Sequence, residues 1–426
     1  SFFKLKSMNF TVLKKTLKNN SVIFQNFTYI TILQVFVMLA PLITYPYLTR
    51  VLGLELYGWV ITAQIVASYC SILVDFGFKS VSAKHVSIHR NDKSKLSEIV
   101  SSILSIRLLL WILALTVYAT IIYLIPSYRS HYLLFIFSFG LTFNELLFPQ
   151  FYFQGVERMK YIAILNIVIR SIFVVLTFVF IRSLSDYIYV PLLMSIGYFI
   201  GGILSLYVIF YKDGIEFILP SWGNMKFYLK DASSIFFTDV ICTIKDKCNY
   251  LLLGAFIGMK DVVIYDLGSK FTNIILKPFS IVGTVLFPKM AKERNIRFFR
   301  KIVKYVACGI VISVLIVNIF LPYLVEFFTA RELDLLPIRL YLLSPIFVGV
   351  SGYIASNLII ALGYNKYIFY SIIVTTIVYL SLLGLMYAGE YLNSIHSFVL
   401  ITVLSYLGEL VYRLFVAKKI VNIEEK

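Results

Sequence analysis

Seven charged side chains lie inside the two apolar segments of residues 238–277, each of which is long enough for a membrane-spanning helix and which are joined by a Gly-containing turn. They are Asp239, Lys245, Asp246, Lys247, Asp266, Lys270 and Lys277. A charge near the centre of a bilayer costs roughly 2.5–3.5 kcal/mol on insertion scales. Such side chains normally face a polar interior or one another, so the chemistry that this stretch offers is ionic binding or ion pairing.

Helical periodicity assigns most of these charges to two polar faces. In the second helix of the stretch, the polar positions are spaced by four, three and four residues, which places them on one face. These positions are Asp266, Lys270, Asn273 and Lys277. One side of the first helix carries Thr238, Cys242, Lys245, Asp246 and Asn249, with Asp239 at its edge. Lys247 lies roughly opposite that side, so we expect it to reach the membrane surface or to pair elsewhere.

An earlier segment, residues 57–78, carries a polar stripe with the same spacing. Its members are Gln64, Ser68, Ser71 and Asp75. We expect this stripe to face that of Asp266 across a central cavity, with Asp75 as its charged member. A simpler interpretation stays open for Asp266 and Lys270, because residues four apart on a helix neutralise each other locally. Lys277 has no acidic residue one turn away, so local pairing does not account for it.

The composition requires these faces to be positioned by a membrane-embedded helical bundle. The chain has 426 residues, of which 60% are hydrophobic and 14% charged, and its mean hydropathy is +0.86. Its apolar runs are too long for barrel strands and do not alternate, so they predict helices. A window of about 19 residues predicts twelve spans. They are residues 22–45, 57–78, 98–125, 131–153, 161–182, 187–211, 231–257, 262–287, 302–329, 336–362, 366–388 and 393–416.

The distribution of positive charge predicts the topology. Most of the 39 Lys and Arg residues fall in the two termini and in alternate loops, on one predicted side of the membrane. The positive-inside rule places that side, and both termini, in the cytoplasm. The net charge of +17 is therefore mainly topological. We expect no nucleic-acid partner, because the basic loops are short and no nucleic-acid-binding motif is recognisable.

The chain shows signs of an internal duplication. When Gly53 is aligned with Gly258, the same offset aligns Lys84 with Lys289, and Gly155 then corresponds to Gly363 with a short gap. An even number of helices per repeat implies two parallel halves with a binding site between them. We therefore predict an N-terminal six-helix lobe at residues 1–211, a cytoplasmic linker at 212–230 and a C-terminal six-helix lobe at 231–426.

Other polar residues within the spans are secondary candidates for the site. They are Arg50, Gln64, Arg107 and Arg170. For Arg107 and Arg170, packing against a carboxylate such as Glu145 is the simpler interpretation. The sequence predicts no metal site and no cofactor, because it has no Cys/His cluster, and His85 and His89 lack the Glu of a zinc motif. It also has no phosphate-binding loop and no catalytic triad, so we expect a protein that is not an enzyme.

Several motifs resemble those of one family. They are residues 41–53 (PLITYPYLTRVLG), 57–58 (YG), 75–78 (DFGF), 148–159 (FPQFYFQGVERM) and 287–290 (FPKM). In motif order and helix number, the whole chain is similar to Wzx-type O-antigen flippases, the polysaccharide-transporter branch of the multidrug/oligosaccharidyl-lipid/polysaccharide (MOP) exporter superfamily. The resemblance implies an all-α fold of the MOP/MATE type, with two parallel lobes around a central cavity. Tyr152 occupies a position where relatives more often have Trp.

The resemblance also implies a function and roles for the charged residues. Such a flippase moves undecaprenyl-diphosphate-linked oligosaccharide repeat units from the cytoplasmic to the periplasmic leaflet of the bacterial inner membrane by alternating access. The expected substrate-binding residues are Lys245, Lys270, Lys277, Asn249 and Asn273. The expected counter-charges or coupling groups for H⁺ or Na⁺ are Asp75, Asp239, Asp246 and Asp266. The membrane potential favours outward movement of a dianion.

Two alternative functions stay open. A drug/cation antiporter of the same superfamily would share the fold but need a more acidic cavity. A membrane glycan polymerase or glycosyltransferase would show a large periplasmic loop with catalytic residues, whereas the longest outward loop here, near residues 329–337, is short. Besides membrane lipids, a polysaccharide polymerase and a chain-length regulator are the expected partners.

Overall fold

The computed structural model describes residues 10–424, with the side chains of residues 10–24, 26 and 27 excepted. The described chain is helical and contains no strand. The long helices are α1 (Phe10–Asp75), α2 (Phe78–Ile88), α3 (Lys93–Leu124), α8 (Met159–Phe180), α9 (Tyr189–Tyr207), α10 (Trp222–Phe256), α11 (Met259–Glu293), α12 (Ile296–Thr329), α14 (Ser344–Ile354), α15 (Lys366–Ala388) and α16 (Ile395–Glu424). Short helices are α4 (Pro126–Ser130), α5 (Tyr132–Phe139), α6 (Phe143–Leu147), α7 (Gln150–Gly155) and α13 (Leu336–Tyr341).

In the described residues, ten helical segments are long and apolar enough to cross a membrane, so the protein is a multi-pass membrane protein. The first of them contains two of the predicted spans, because α1 is interrupted at Gly53 (φ 70°, ψ 169°). The rings of Tyr45 and Tyr57 lie 5.1 Å apart, whereas a straight helix would separate these residues by about 18 Å. The chain therefore folds back at Gly53 and forms a first and a second arm of α1.

Helix α10 is not among the ten segments, because it contains the charged residues Asp239, Lys245, Asp246 and Lys247. Its 35 residues are about 50 Å long, which exceeds the thickness of a bilayer core. Twelve membrane crossings therefore stay a prediction.

The structure differs from the predicted boundaries in two places. Helix α10 begins at Trp222, capped by Ser221, whose Oγ accepts the Asn224 N–H at 3.2 Å. Residues 222–230 of the predicted linker are therefore helical, and the Ser cap is the local signal that the prediction missed. The predicted span 131–153 consists of α5, α6 and α7. Pro149, which has no N–H to donate, lies between α6 and α7.

The two halves of the chain meet closely near Gly53. Like Gly53, Gly258 has positive φ (150°) and separates two helices, so the aligned glycines occupy the same kind of junction. A Cβ at Gly58 would lie 2.1 Å from the carbonyl oxygen of Met259. The Tyr45 hydroxyl donates to the Val263 carbonyl at 3.2 Å, and the Thr49 hydroxyl donates to the Phe328 carbonyl. The bundle is closed at this end, which we call the Gly53 end.

The opposite end of the bundle carries the turns rich in Lys and Arg, and we call it the basic end. Here the ring of Phe76 stacks on that of Phe236 on α10, with 4.2 Å between centroids. Nε2 of His85 on α2 lies 2.7 Å from a carboxylate oxygen of Asp231 on α10. The halves therefore touch at both ends, and the space between the ends holds the candidate site.

Candidate functional site

A cavity whose lining includes charged side chains lies between the two halves of the chain. It consists of two adjoining compartments, of about 160 Å³ and 310 Å³, which share Pro41 and Lys270. The smaller compartment is enclosed by both arms of α1, α8, α9 and α11, and the larger one lies between the first arm of α1 and α11. We call the two compartments together the central cavity. A further cavity of 470 Å³ lies between α11, α12 and α14, but no charged side chain lines it.

Three cationic side chains reach the central cavity. Arg170 and Lys270 line the smaller compartment, and Lys270 and Lys277 line the larger one. Gln64 and Asn273 add polar groups. The structure thus brings together five of the residues proposed from the sequence, although they lie on three helices.

Lys270 forms the local ion pair that the sequence left open. Its Nζ donates to Oδ2 of Asp266 at 2.7 Å, and it also lies 5.0 Å from the ring centroid of Tyr45. Asp266 is buried, whereas a third of the Lys270 side chain is exposed. Asp266 is therefore paired with Lys270, and Lys270 still presents donors to the cavity.

Arg170 and Lys277 have no carboxylate within 4.0 Å in the described part of the chain. Arg170 also has a buried Nε with no hydrogen-bond partner there. Placing unpaired cations in a membrane-embedded cavity is costly unless an anion occupies it. The unpaired charge therefore favours an anionic ligand.

The structure separates Lys245 from the other two lysines. Its Nζ lies 2.7 Å from Oδ1 of Asp246 and 5.0 Å from the ring centroid of Tyr406. Together with Tyr379 and Thr402, this pair lines a narrow cleft of the C-terminal half. The polar face of α10 turns towards α15 and α16 there, so Lys245 and Asp246 do not line the central cavity.

Asn249 takes part in the packing between helices of the C-terminal half. It is buried, its amide donates to Oγ1 of Thr402 at 2.8 Å, and its carbonyl accepts the Tyr379 hydroxyl at 2.7 Å. These bonds join α10 to α15 and α16. Because its polar atoms are already paired away from the central cavity, we do not retain Asn249 as a substrate-binding residue.

Asp75 is held by Arg107, not by the stripe on α11. The Arg107 Nη2 donates to Oδ1 of Asp75 at 2.5 Å, and its guanidinium lies 5.3 Å from the ring centroid of Phe151. The predicted partner Glu145 interacts electrostatically with both groups but is not the bonded one. Of the predicted stripe on the second arm of α1, only Gln64 reaches the central cavity.

Asp239 on α10 interacts electrostatically with Asp75. Asp75, Arg107, Glu145 and Asp239 thus form a cluster that links the two halves near the basic end, and we call it the ionic cluster. Lys79 also interacts electrostatically with Glu145, so two cations face the three carboxylates of this region and one negative charge is in excess.

Arg50 lies at the Gly53 end, outside the central cavity. Its Nη2 donates to the Phe327 carbonyl at 2.8 Å, and its guanidinium lies 5.7 Å from the Phe327 ring centroid. These contacts join the first arm of α1 to α12. Arg50 therefore helps to hold the Gly53 end closed.

One face of the cavity, on the first arm of α1, was not predicted from the sequence. Gln34, Met38, Pro41, Tyr45 and Leu48 line it at alternating spacings of four and three residues. This heptad-like spacing was visible in the sequence, but apolar members dominate it and the stripe resembles ordinary packing. Within the described residues, no group of three His, Cys, Asp or Glu side chains is placed to hold a metal ion.

The fold is that of the MOP superfamily. A multidrug resistance MATE family transporter of that superfamily, in its inward-facing conformation, superposes with a TM-score of 0.67 at 15% identity, covering 92% of this chain and 99% of that one. The lipid II flippase MurJ, inward closed, superposes with a TM-score of 0.65 at 16% identity, covering 91% of this chain and 87% of that one. The predicted MOP/MATE-like, all-α membrane fold is confirmed.

The chain belongs to the family described as "Polysaccharide biosynthesis protein", whose profile matches residues 23–294. Two relatives carry the description "Putative O-antigen transporter". The one from Escherichia coli K12 is 24% identical over 268 residues, which are 63% of this chain and 64% of that protein, slightly less than two thirds of its length. The one from Shigella dysenteriae is 25% identical over 334 residues, covering 77% and 84%. The resemblance seen in the sequence motifs is confirmed.

Proposed function

We propose that this protein is a flippase that moves undecaprenyl-diphosphate-linked repeat units of O-antigen, or of a related surface polysaccharide, from the cytoplasmic to the periplasmic leaflet. The observation that carries the proposal is the central cavity with Arg170, Lys270 and Lys277, in a member of a polysaccharide biosynthesis family. The relatives described as O-antigen transporters support a transporter over an enzyme.

The charge of the cavity suits a diphosphate. Three cations and the Asp266 carboxylate leave two positive charges, which match a dianionic diphosphate. In a cavity of low dielectric, hydrogen bonds between Lys or Arg and phosphate oxygens are strong. Asn273 and Gln64 supply further polar groups for the diphosphate or the first sugar.

The position of the larger compartment suits a lipid-linked ligand. It lies between the first arm of α1 and α11, and the outer face of that arm exposes Val35, Leu39 and Ile43. Exposed apolar side chains on a membrane helix are in contact with acyl chains. A diphosphate held by Lys277 therefore lies beside lipid, and the polyprenyl tail stays in the bilayer while the headgroup is bound.

Alternating access requires the Gly53 end to open. With the basic end in the cytoplasm, as the charge bias predicts, the structure represents a state closed to the periplasm by Tyr45, Thr49 and Arg50. Outward movement of a dianion is favoured by roughly 2.3 kcal/mol per charge per 100 mV of inside-negative potential. The membrane potential therefore drives export at least in part.

Antiport of H⁺ or Na⁺ is the second proposed driving force. Among the four predicted coupling residues, Asp246 and Asp266 pair with neighbouring lysines, whereas Asp75 and Asp239 meet across the two halves in the ionic cluster. We propose the ionic cluster as the coupling group. Loss of ion dependence in Asp239→Asn, with Asp246→Asn as the comparison, tests this assignment.

A drug/cation antiporter is the second candidate function, favoured by the fold shared with a multidrug resistance transporter. The excess of positive charge in the central cavity disfavours it, because a cationic drug needs carboxylates. A polymerase or glycosyltransferase is disfavoured by the short connection between α12 and α13. A polysaccharide polymerase and a chain-length regulator remain proposed partners in the bacterial inner membrane.

The test is complementation of a strain from which the gene is deleted. We expect deletion to remove the surface polysaccharide and to accumulate its lipid-linked repeat unit in the inner leaflet. Lys270→Gln combined with Lys277→Gln is expected not to restore export, although the protein reaches the membrane. Lys304→Gln, which removes one exposed charge at the basic end, serves as the control. Full export by the double variant would refute the cavity assignment.

A further inference from the structure

A second polar cavity opens at the basic end, away from the central cavity. Its volume is about 530 Å³, and its lining comes from the turn between α2 and α3, the turn after α7 and the linker between α9 and α10. We call it the basic-end cavity. Four cations line it, namely Arg90, Lys93, Arg158 and Lys212, together with Asp213.

The carboxylates near this cavity neutralise only part of its charge. Nη1 of Arg158 lies 2.6 Å from Oδ1 of Asp213, and Nη1 of Arg90 lies 3.1 Å from Oε2 of Glu157. Both arginine side chains remain about half exposed. In the described residues, Lys93 and Lys212 have no carboxylate within 4.0 Å. Four cations against two carboxylates leave two positive charges, carried mainly by the two lysines.

The linker wall of the cavity is held in place by hydrogen bonds. The backbone N–H of Glu216 donates to Oγ of Ser97 at 3.0 Å, and that of Ile218 donates to Oγ of Ser101 at 2.9 Å. The Tyr152 hydroxyl donates to Oδ2 of Asp213 at 2.9 Å. The linker therefore runs along α3 in a fixed position, and the cations around it are arranged before any ligand arrives.

Two long helices begin at the rim of this cavity. Helix α3 starts at Lys93 and α8 starts at Met159, directly after Arg158. Helix α3 is capped by Asp92, whose carboxylate accepts the Lys95 N–H at 3.0 Å, whereas α8 has neither a side-chain cap nor an acidic residue in its first turn. Helix N-termini carry partial positive charge, so the uncapped start of α8 adds to the positive charge at the rim. The backbone and the side chains thus favour the same kind of ligand.

Exposed apolar side chains locate the cavity relative to the membrane. Phe217, Leu219 and Trp222, on the linker and at the start of α10, are all more than half exposed. Aromatic and aliphatic residues in this setting lie at the membrane–water interface. The basic-end cavity is therefore at the depth of lipid headgroups.

We propose that the basic-end cavity binds a phosphate group, as a phosphomonoester or a diphosphate, at the membrane surface. Two sources share this chemistry: an anionic lipid headgroup and a soluble phosphorylated molecule. The proposal concerns a site separate from the central cavity and does not depend on transport. Binding there would connect the linker to the turn between α2 and α3 and to the turn after α7.

The test is a calorimetric titration of the purified full-length protein in detergent with inorganic pyrophosphate and with short-chain phosphatidate. Short-chain phosphatidylcholine is the neutral-lipid control. We expect Lys93→Gln with Lys212→Gln to weaken binding of at least one phosphate ligand by about tenfold or more, because charge-assisted hydrogen bonds are lost. Lys292→Gln with Lys301→Gln removes the same charge at the same end, outside the cavity, and is expected to have little effect.

The outcomes separate the sources and the sites. Binding of phosphatidate alone supports a lipid headgroup, binding of pyrophosphate alone supports a soluble ligand, and binding of both supports the shared phosphate chemistry. Lys93→Arg with Lys212→Arg should retain affinity, which excludes misfolding as the cause. The proposal is overturned if no phosphate ligand binds, if the control pair weakens binding equally, or if Lys270→Gln with Lys277→Gln abolishes all binding.

Discussion

Gly58 permits the contact that closes the Gly53 end. A Cβ at this position would lie 2.1 Å from the carbonyl oxygen and 2.6 Å from the carbonyl carbon of Met259. Both groups belong to helix backbone, so no side-chain rotation relieves the overlap. Gly58→Ala is therefore expected to force the second arm of α1 away from α11 and to weaken the nearby bonds of Tyr45 and Thr49.

The size of the effect follows from the cost of overpacking. Inserting a methyl group into a packed contact costs about 1–3 kcal/mol. If this cost falls on the closed state alone, the ratio of closed to open molecules drops by about fivefold to about 150-fold. Such a change converts a minor open state into a substantial or dominant one.

The assay is a distance measurement between spin labels at the Gly53 end. Cysteines at Glu55 and Glu332, both exposed, report the separation of the two halves in a background without the four native cysteines. Gly58→Ala is expected to increase the population at long distance. Gly384→Ala is the control, because a Cβ there meets no atom within 4 Å. If the two variants give the same distance distribution, the proposed closure at Gly58 is wrong.

Three further predictions concern the buried polar groups. Arg107→Gln should destabilise the protein by about 3–5 kcal/mol, because Asp75 and Glu145 then lose their buried cation. Asp75→Asn should cost less, since Glu145 still interacts with Arg107, and the double variant should be less destabilised than the sum of the two in thermal unfolding. Asn249→Ala should lower the stability of the protein by about 1–3 kcal/mol, because Tyr379 and Thr402 each lose a hydrogen-bond partner. Export per folded molecule should be unchanged. Loss of export at normal protein abundance would show that Asn249 binds substrate. Asp266→Asn removes the carboxylate that pairs with the Lys270 ammonium, so the affinity for a diphosphate lipid should rise and release of that lipid should slow. Unchanged affinity in a binding titration would argue against the proposed ligand.

The class of the protein was predictable from sequence because it depends on local properties. Long apolar runs identify helices in a membrane, and the positions of the Gly residues identified the junctions at Gly53 and Gly258. The stripe of Lys270, Asn273 and Lys277 was predictable for the same reason, since helical periodicity fixes which residues of one helix share a face. The ion pair of Asp266 and Lys270 was visible as a local possibility.

Tertiary structure decided which faces meet. Lys245 and Asn249 share a polar face of α10, but that face packs against α15 and α16, and Asp75 turns to Arg107. Arg170 joins Lys270 from a distant helix. The rotation of each helix about its own axis is not set by its sequence pattern alone, because lipid and protein interior are equally apolar in a membrane. The sequence therefore identifies the charged residues, and only the packing of the two halves selects those that share a cavity.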